Sequence, residues 1–442
     1  MRRQKFILAI ITTSLLAAMS AQSPSPNSWK PKEEAASKAA KAAHFAEAEK
    51  LLNENLQLAE TLTAKDARRP RSMFDLAQVY RAEGKYNDAF PLYERALQIY
   101  TTLYGHDAEE IADTLDGEAE LYKSLNDYPH AEPLLLDALA IRQRLLKPDD
   151  PAIAQSDNDL GELYTATSAF DKAEPLLSAA LAARQKSPGP ESAEAAQSLE
   201  ALGTLYSKSN RPKQSEDFYR QAVSVYGKTV GGDHPDYANA LENLALAYGA
   251  RKDFADAEPL LQRVLEIRQN TFGPEHRDVA ASLDNLGALR RAENKPDEAA
   301  ACYEKAIAIW EKVLGPDSPD LAPDLNNLGT IYESGADKAR AEPLFLRAAA
   351  IDEKALGAES PELATDLNNL GLLYALTRKY DEAQKTLSRA LTIRIKVYGD
   401  HDPAVAQTLS INAMLLHKMG REAEARQMDA RVRSLQSGQN PK

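Results

Sequence analysis

The chain repeats itself every 42 residues, and this period constrains its fold more than any other feature. Starting from Tyr374 as reference, steps of 42 residues land on Tyr80, Tyr122, Tyr164, Tyr206, Tyr248, Arg290, Tyr332 and Leu416, with no insertion or deletion. Three residues before every reference position the side chain is small, Ala or Gly, from Ala77 to Ala413. Sixteen residues after each but the last stand Ala96, Ala138, Ala180, Ala222, Val264, Ala306, Ala348 and Ala390. A fixed period of this length marks an array of one supersecondary unit, in which each copy buries its apolar face against its neighbours.

The stretch from Ser360 to Gly399 shows what one unit is. Leu367, Leu370, Leu373 and Tyr374 recur at helical spacing and define an amphipathic first helix. Ser360 suits the N-cap and Pro361 the first helical position, where its missing N–H is not needed. Thr377-Arg378-Lys379 reads as a short turn, and Asp381 as the cap of a second helix. The inner face of that helix is Ala383, Leu387, Ala390, Leu391 and Ile393, and Gly399 stops it. Gly371 and Ala390 are expected to let the two backbones approach. Pro133, Pro175, Pro259 and Pro343 fall in first turns of second helices, where proline loses no intrahelical bond.

Small, Tyr, aromatic and Ala at these offsets resemble the tetratricopeptide pattern, a helix–turn–helix repeat. The joins Gly232-Asp233-His234-Pro235, Gly315-Pro316-Asp317-Ser318-Pro319 and Gly357-Ala358-Glu359-Ser360-Pro361 resemble those of kinesin light chains and their bacterial relatives. The resemblance covers nearly all the chain after residue 65. It implies an all-α fold, an α-solenoid in which about ten helix–turn–helix repeats wind into a superhelix. Nothing in the chain resembles the heptad coiled coil that binds kinesin heavy chain, so a motor role is not implied.

Taken in order, residues 1–20 have the pattern of a signal peptide. Arg2, Arg3 and Lys5 precede an apolar run, and small residues flank a cleavage point at Ser20–Ala21. The run is short for a membrane span, which needs ~20 residues. Export to the periplasm is therefore expected, with an uncleaved membrane anchor as the alternative. Residues 21–32 read as a flexible linker, 33–65 as a degenerate N-terminal capping repeat, and 66–401 as eight 42-residue units. Residues 402–433 form a polar C-terminal capping repeat, and 434–442 a disordered tail. The formal net charge is −13, which disfavours nucleic acid and anionic membranes as partners and leaves proteins or peptides.

No catalytic constellation is legible, so the chain is expected not to be an enzyme and to need no cofactor or metal. Cys302, the only cysteine, takes a repeat position held elsewhere by Leu92, Leu134, Leu176, Leu260 and Leu344, and reads as core filler. His234 and His276 sit at joins between units and read as caps or surface residues, without metal spacing. Glu132, Glu174, Glu258 and Glu342 start second helices, where they favour the helix dipole.

One polar row stands out. Asn243, Asn285, Asn327 and Asn369 lie five residues before the reference position, off the apolar face of the first helix. Asn326 and Asn368 stand beside them, and Glu242, Asp284 and Arg291 share the same helix side. Earlier units carry acids there, among them Asp75, Asp113, Asp116, Asp159 and Glu162. The family resemblance places this side on the concave surface, where repeated Asn side chains contact the main chain of an extended peptide. An amide donates and accepts together, so it suits a peptide bond. The alternative is that the Asn residues cap or bridge adjacent helices, and that the charges belong to a solvated face. The expected function is a protein-interaction scaffold that binds an extended peptide segment. The alternative is a structural subunit that packs through its other surfaces.

Overall fold

The computed structural model describes residues 29–41, 44–63 and 65–437. The expected signal peptide lies outside them. Among the described residues there are α-helices and short 3-10 turns and no strand. The contacts divide the chain into two compact units, one ending at Phe218 and the other starting at Tyr219.

In the first unit α1 (Trp29–Lys41) pairs with α2 (Phe45–Glu60), and α3 (Arg68–Ala82) with α4 (Tyr86–Tyr104). Next come the pairs α5 (Glu109–Ser124) with α6 (Tyr128–Leu145) and α7 (Pro151–Ala166) with α8 (Phe170–Lys186). They are followed by α9 (Ala193–Lys208) and α10 (Pro212–Thr229), and the boundary between the units falls inside α10.

The second unit continues with α11 (Pro235–Ala250), α12 (Phe254–Phe272), α13 (Arg277–Ala292) and α14 (Pro296–Leu314). Then come α15 (Ala322–Ser334), α16 (Ala341–Leu356), α17 (Pro361–Leu376) and α18 (Tyr380–Tyr398). The last pair is α19 (Pro403–Lys418) with α20 (Glu422–Ser437). Odd-numbered helices are the first of each repeat, even-numbered the second.

Most first helices begin on true side-chain caps, the exceptions including α3 and α5, whose caps are Ala67 and Ala108. Ser360 Oγ accepts from the Leu363 N–H at 3.1 Å, and Asp150 Oδ1 from that of Ala152 at 3.0 Å. The His234 and His276 rings do the same, each accepting at Nδ1 from a backbone N–H 3.2 Å away, so both are caps as expected. Second helices begin differently. The one containing Asp381 starts at Tyr380, with Lys379 at the cap position and no side-chain bond. Asp381 therefore sits in the first turn, where its charge favours the helix dipole, rather than at the cap. The cause is the turn before it. Arg378 has φ 64°, which brings the Lys379 N–H onto the Tyr374 carbonyl at 2.9 Å. Asn126, Ser168, Asn210, Lys252 and Asn294 take the same left-handed conformation at the same repeat position.

The small residue three before the reference makes room for a side chain. A Cβ on Gly371 would lie 2.5 Å from Leu387 Cγ, and one on Gly161 equally close to Leu177. On Gly329 it would meet Phe345 at 2.6 Å. The gap is filled by the large residue of the second helix, so what approaches the first-helix backbone is a side chain and not another backbone.

The two ends depart from expectation. Helix α1 starts at Trp29, inside the expected linker. The Trp29 indole N–H donates to Ser72 Oγ at 2.9 Å, and Asn55 Nδ2 donates to the Trp29 carbonyl at 3.0 Å. The bulk and polar handle of Trp29 extend the cap by one turn. At the other end α20 runs through Ser437, into the expected tail. Ahead of α15, a 3-10 turn at Pro319–Leu321 replaces the usual first turn, because Pro323 has no N–H to offer.

Candidate functional site

The first-helix face divides into two rows one residue apart, and one residue on a helix is a rotation of about 100°. Asn243, Asn285, Asn327 and Asn369 form the outer row and are all half-buried. Each stands on an odd-numbered helix of the second unit, at the same height in successive repeats. Their neighbours six before the reference, Glu242, Asp284, Asn326 and Asn368, turn inward toward the second helix.

The outer row also ties repeats together. Asn285 Nδ2 donates to Glu242 Oε1 of the preceding repeat at 2.8 Å. Asn369 Nδ2 donates in the same way to Asn326 Oδ1 at 3.0 Å. Asn327 Oδ1 accepts from Arg291 Nη1 at 3.1 Å, an exposed contact. The bridging expected of these residues is thus present at Asn285, Asn327 and Asn369. Asn285 lies at the edge of a cavity of about 210 Å³ in the second unit, walled by Leu246, Phe254, Leu261, Ala288 and Leu289. Leu246 is 48% exposed there.

The inner row is structural. Asn368 is 2% exposed and its Oδ1 has no partner. Asn326 Nδ2 donates to the Ala322 carbonyl at 3.0 Å and to Asp366 Oδ1 at 2.5 Å. Asp284 accepts from the Trp310 indole at 3.2 Å. Glu242 accepts from both terminal nitrogens of Arg268 at 2.8 Å. Asn368, Glu242 and Asp284 were expected to face a ligand; the helix rotation instead commits them to the joint.

Arg268 belongs to a row that the sequence reading missed. Arg142, Arg184, Arg268 and Arg394 stand 20 residues after the reference, each nearly fully buried. Each guanidinium clamps three helices. Arg142 donates to Asp113 at 2.7 Å and to Asp116 on the first helix of its own repeat, and to Ser156 Oγ at 2.6 Å on the next. Arg184 reaches Asn158 behind it and Ser198 ahead, and Arg268 reaches Asn239 and Ser282. Arg394 bonds Thr408 Oγ1 at 2.8 Å and the Ala404 carbonyl without any carboxylate, and burial lowers its pKa. Burial pushes Asp116 up to about 6 even beside Arg142. The signal was available as four arginines at one offset.

These clamps change the reading of the acidic early face. Asp113 and Asp116 are held by Arg142, Asp75 by Arg71 at 3.1 Å and Glu120 by Lys123 at 2.6 Å. They are internal partners rather than a field awaiting a basic ligand. Second helices start earlier than expected, so Glu132, Glu174 and Glu258, and the prolines Pro133, Pro175 and Pro259 after them, lie inside their helices beyond the first turn. These glutamates serve as hydrogen-bond partners rather than at the dipole. Tyr164 Oη donates to Glu132 at 2.8 Å and Tyr206 Oη to Glu174 at 2.9 Å, across neighbouring repeats. Cys302 is half-buried against the cluster containing Leu261 and Leu286, and burial pushes its thiol pKa up, as core filler requires. Among the described residues, no group of three or more His, Cys, Asp or Glu could hold a metal, and no helix is long and apolar enough to cross a membrane.

Stacked helix pairs with a Tyr–Glu latch, an internal clamp and one half-buried polar row define a helical repeat scaffold. A tetratricopeptide repeat family model matches overlapping segments along the chain, among them residues 40–101, 68–144, 152–228, 236–312 and 362–437. The chain belongs to the tetratricopeptide repeat family. Among solved structures it is similar to BtubC (BKLC) from P. vanneervenii, with 23% identity over 56% of this chain and 92% of that one, TM-score 0.44. A putative kinesin light chain of Podosopora anserina with nearly identical repeats shares 25% identity over 48% of this chain and 99% of that one, TM-score 0.42. Aspartyl phosphate phosphatase F from Bacillus subtilis shares 14% identity over 85% and 95%, TM-score 0.49. No match was found among curated proteins.

Proposed function

We propose that the chain is a non-catalytic scaffold, exported to the periplasm, that holds an extended segment of a partner protein along the first helices of its second unit. The observation that carries this reading is the half-open row Asn243, Asn285, Asn327 and Asn369 at one height on four successive first helices. Asn285 and Asn369 use Nδ2 for the preceding repeat, which fixes each amide and aims it. A fixed amide oxygen is an acceptor for the N–H of an extended main chain, and the cavity beside Asn285 has room for one apolar side chain of the same segment. Capture of partners from the envelope fraction by the wild-type chain and by Asn327→Ala tests it. Asn327 makes only an exposed contact, so its loss leaves the fold intact and should weaken capture.

One observation favours the second reading, a structural subunit. Val313, Leu314, Leu356, Val397 and Tyr398 are all more than a third exposed, at matching ends of three second helices of the second unit. An assembly surface there would survive every substitution in the Asn row, and unchanged capture by Asn327→Ala would favour it.

A further inference from the structure

The clamp position 20 residues after the reference holds Arg268 and Arg394 in the second unit, but between them it holds Trp310 and Asp352. At both places the guanidinium is replaced by a meeting of carboxyl groups. Around Trp310, Asp284 of α13 and Asp324 of α15 come together, while the indole N–H donates to Asp284 Oδ2. One repeat later Asp352 of α16 and Asp366 of α17 come together, and Asn326 Nδ2 of α15 donates to Asp366 Oδ1. Asp324, Asp352 and Asp366 are 4%, 4% and 1% exposed. One oxygen of Asp284 and one of Asp366 are buried without a partner.

No cation offsets these groups: among the described residues none of the four carboxyls forms an ion pair. The first pair faces Trp310 and the Tyr303 hydroxyl from α14, with Arg291 of α13 acting on Tyr303 from further out. The second faces Asn326 from α15 and Glu362 from α17 itself. Two carboxylates in contact cannot both ionise cheaply, whereas a protonated one donates an O–H to the other.

We propose that these two consecutive joints are each held by a shared proton in place of the buried arginine, which makes α13 to α17 a pH-responsive segment of the second unit. Burial, and then the facing carboxyl, push Asp324 up to about 8, and burial brings Asp366 up to about 8 and Asp284 up to about 6. Folded-state values above the unfolded ones mean that the joints contribute fully below the ordinary carboxylate range. The contribution is lost as pH rises through about 6 to about 8.

The test compares melting of the full chain with that of Asp324→Asn/Asp352→Asn, between about pH 5.5 and about pH 8.5. Asparagine keeps a donor for the facing carboxylate and removes the proton. All other titrating groups are common to both proteins and cancel in the difference. The two melting temperatures should be similar at the acid end, with the variant several degrees higher at the alkaline end. Asp284→Asn/Asp366→Asn approaches the same pairs from the other side and should give the same trend, which covers failure of the first variant to fold. A melting difference that does not change with pH in the variants that fold overturns the proposal. So does failure of both variants to fold, because an amide donor should satisfy a joint held by one proton.

Discussion

The Arg290 guanidinium donates to Glu258 Oε1 at 2.5 Å, across the joint between two repeats. Arg290 is the basic residue in a series of tyrosines, and it keeps their partner: Glu258 holds the place that Glu132 holds for Tyr164. The exception in sequence is therefore no exception in function. Arg290→Tyr is expected to fold and to change stability by less than about 1 kcal/mol, because the tyrosine hydroxyl can reach the same carboxylate. Glu258→Ala should cost more, since it leaves a largely buried guanidinium with Glu293 and Glu298 alone. Denaturant midpoints of the two variants check the order.

The buried clamp gives the largest expected single-residue effect. Arg268→Ala leaves Glu242, Asn239 and Ser282 without their common donor. Breaking a buried pair from one side costs roughly 3–5 kcal/mol. Adding Glu242→Gln removes the stranded charge and should recover part of the loss. Chemical denaturation of the single and double variants measures the recovery; equal stability of the two would contradict the clamp.

Gly371→Ala would place a methyl 2.5 Å from Leu387 Cγ. Overpacking of this kind costs roughly 1–3 kcal/mol, even though alanine favours helix by about 1 kcal/mol over glycine. A lowered melting temperature is the expected sign. A raised one would mean that Leu387 moves aside freely.

Asn327→Ala should weaken partner capture with little change in melting temperature. Asn285→Ala and Asn369→Ala should each also lower stability by about 0.5–1.5 kcal/mol, through the lost bonds to Glu242 and Asn326. Binding and folding can thus be separated at Asn327 and not at its neighbours. Calorimetric melting beside the capture assay reads both.

Deletion of residues 318–359 should leave a soluble helical protein. It brings Asp366 into the place of Asp324 and Asn369 into that of Asn327, so the joint around Trp310 is rebuilt in kind. Deletion of the first half of that unit removes a first helix and leaves α16 unpaired, and should aggregate. Circular dichroism and size exclusion of the two chains decide the matter.

Period, caps and core were legible because each recurs at one offset in residues whose role follows from their own type, small, capping or apolar. Leu370, Leu373 and Tyr374 are buried as their spacing requires, and Ser360 caps as its side chain allows. The inner face of the candidate site was not legible for a physical reason. Asn326 and Asn327 are adjacent and chemically identical, and only rotation about the helix axis sends one into the joint and leaves the other half-open. The arginine clamp escaped because its partners vary: Asp116, Asn158 and Glu242 serve one geometric role with different chemistry. A pattern read by residue type does not register a position defined by what it must accept.

The three-helix clamp also bears on how such an array could have grown. Copying one repeat next to itself preserves every apolar contact, yet each new seam must match a clamp residue to acceptors on two other helices. A duplicate of the repeat carrying Arg268, placed before the one carrying Asp324, would give that acid a guanidinium and remove its need for a proton. The repeats are thus exchangeable as volumes and addressed as charges. Lengthening of this chain by unequal crossing-over would be filtered at the seams, leaving junction chemistry as a record of which copies became neighbours.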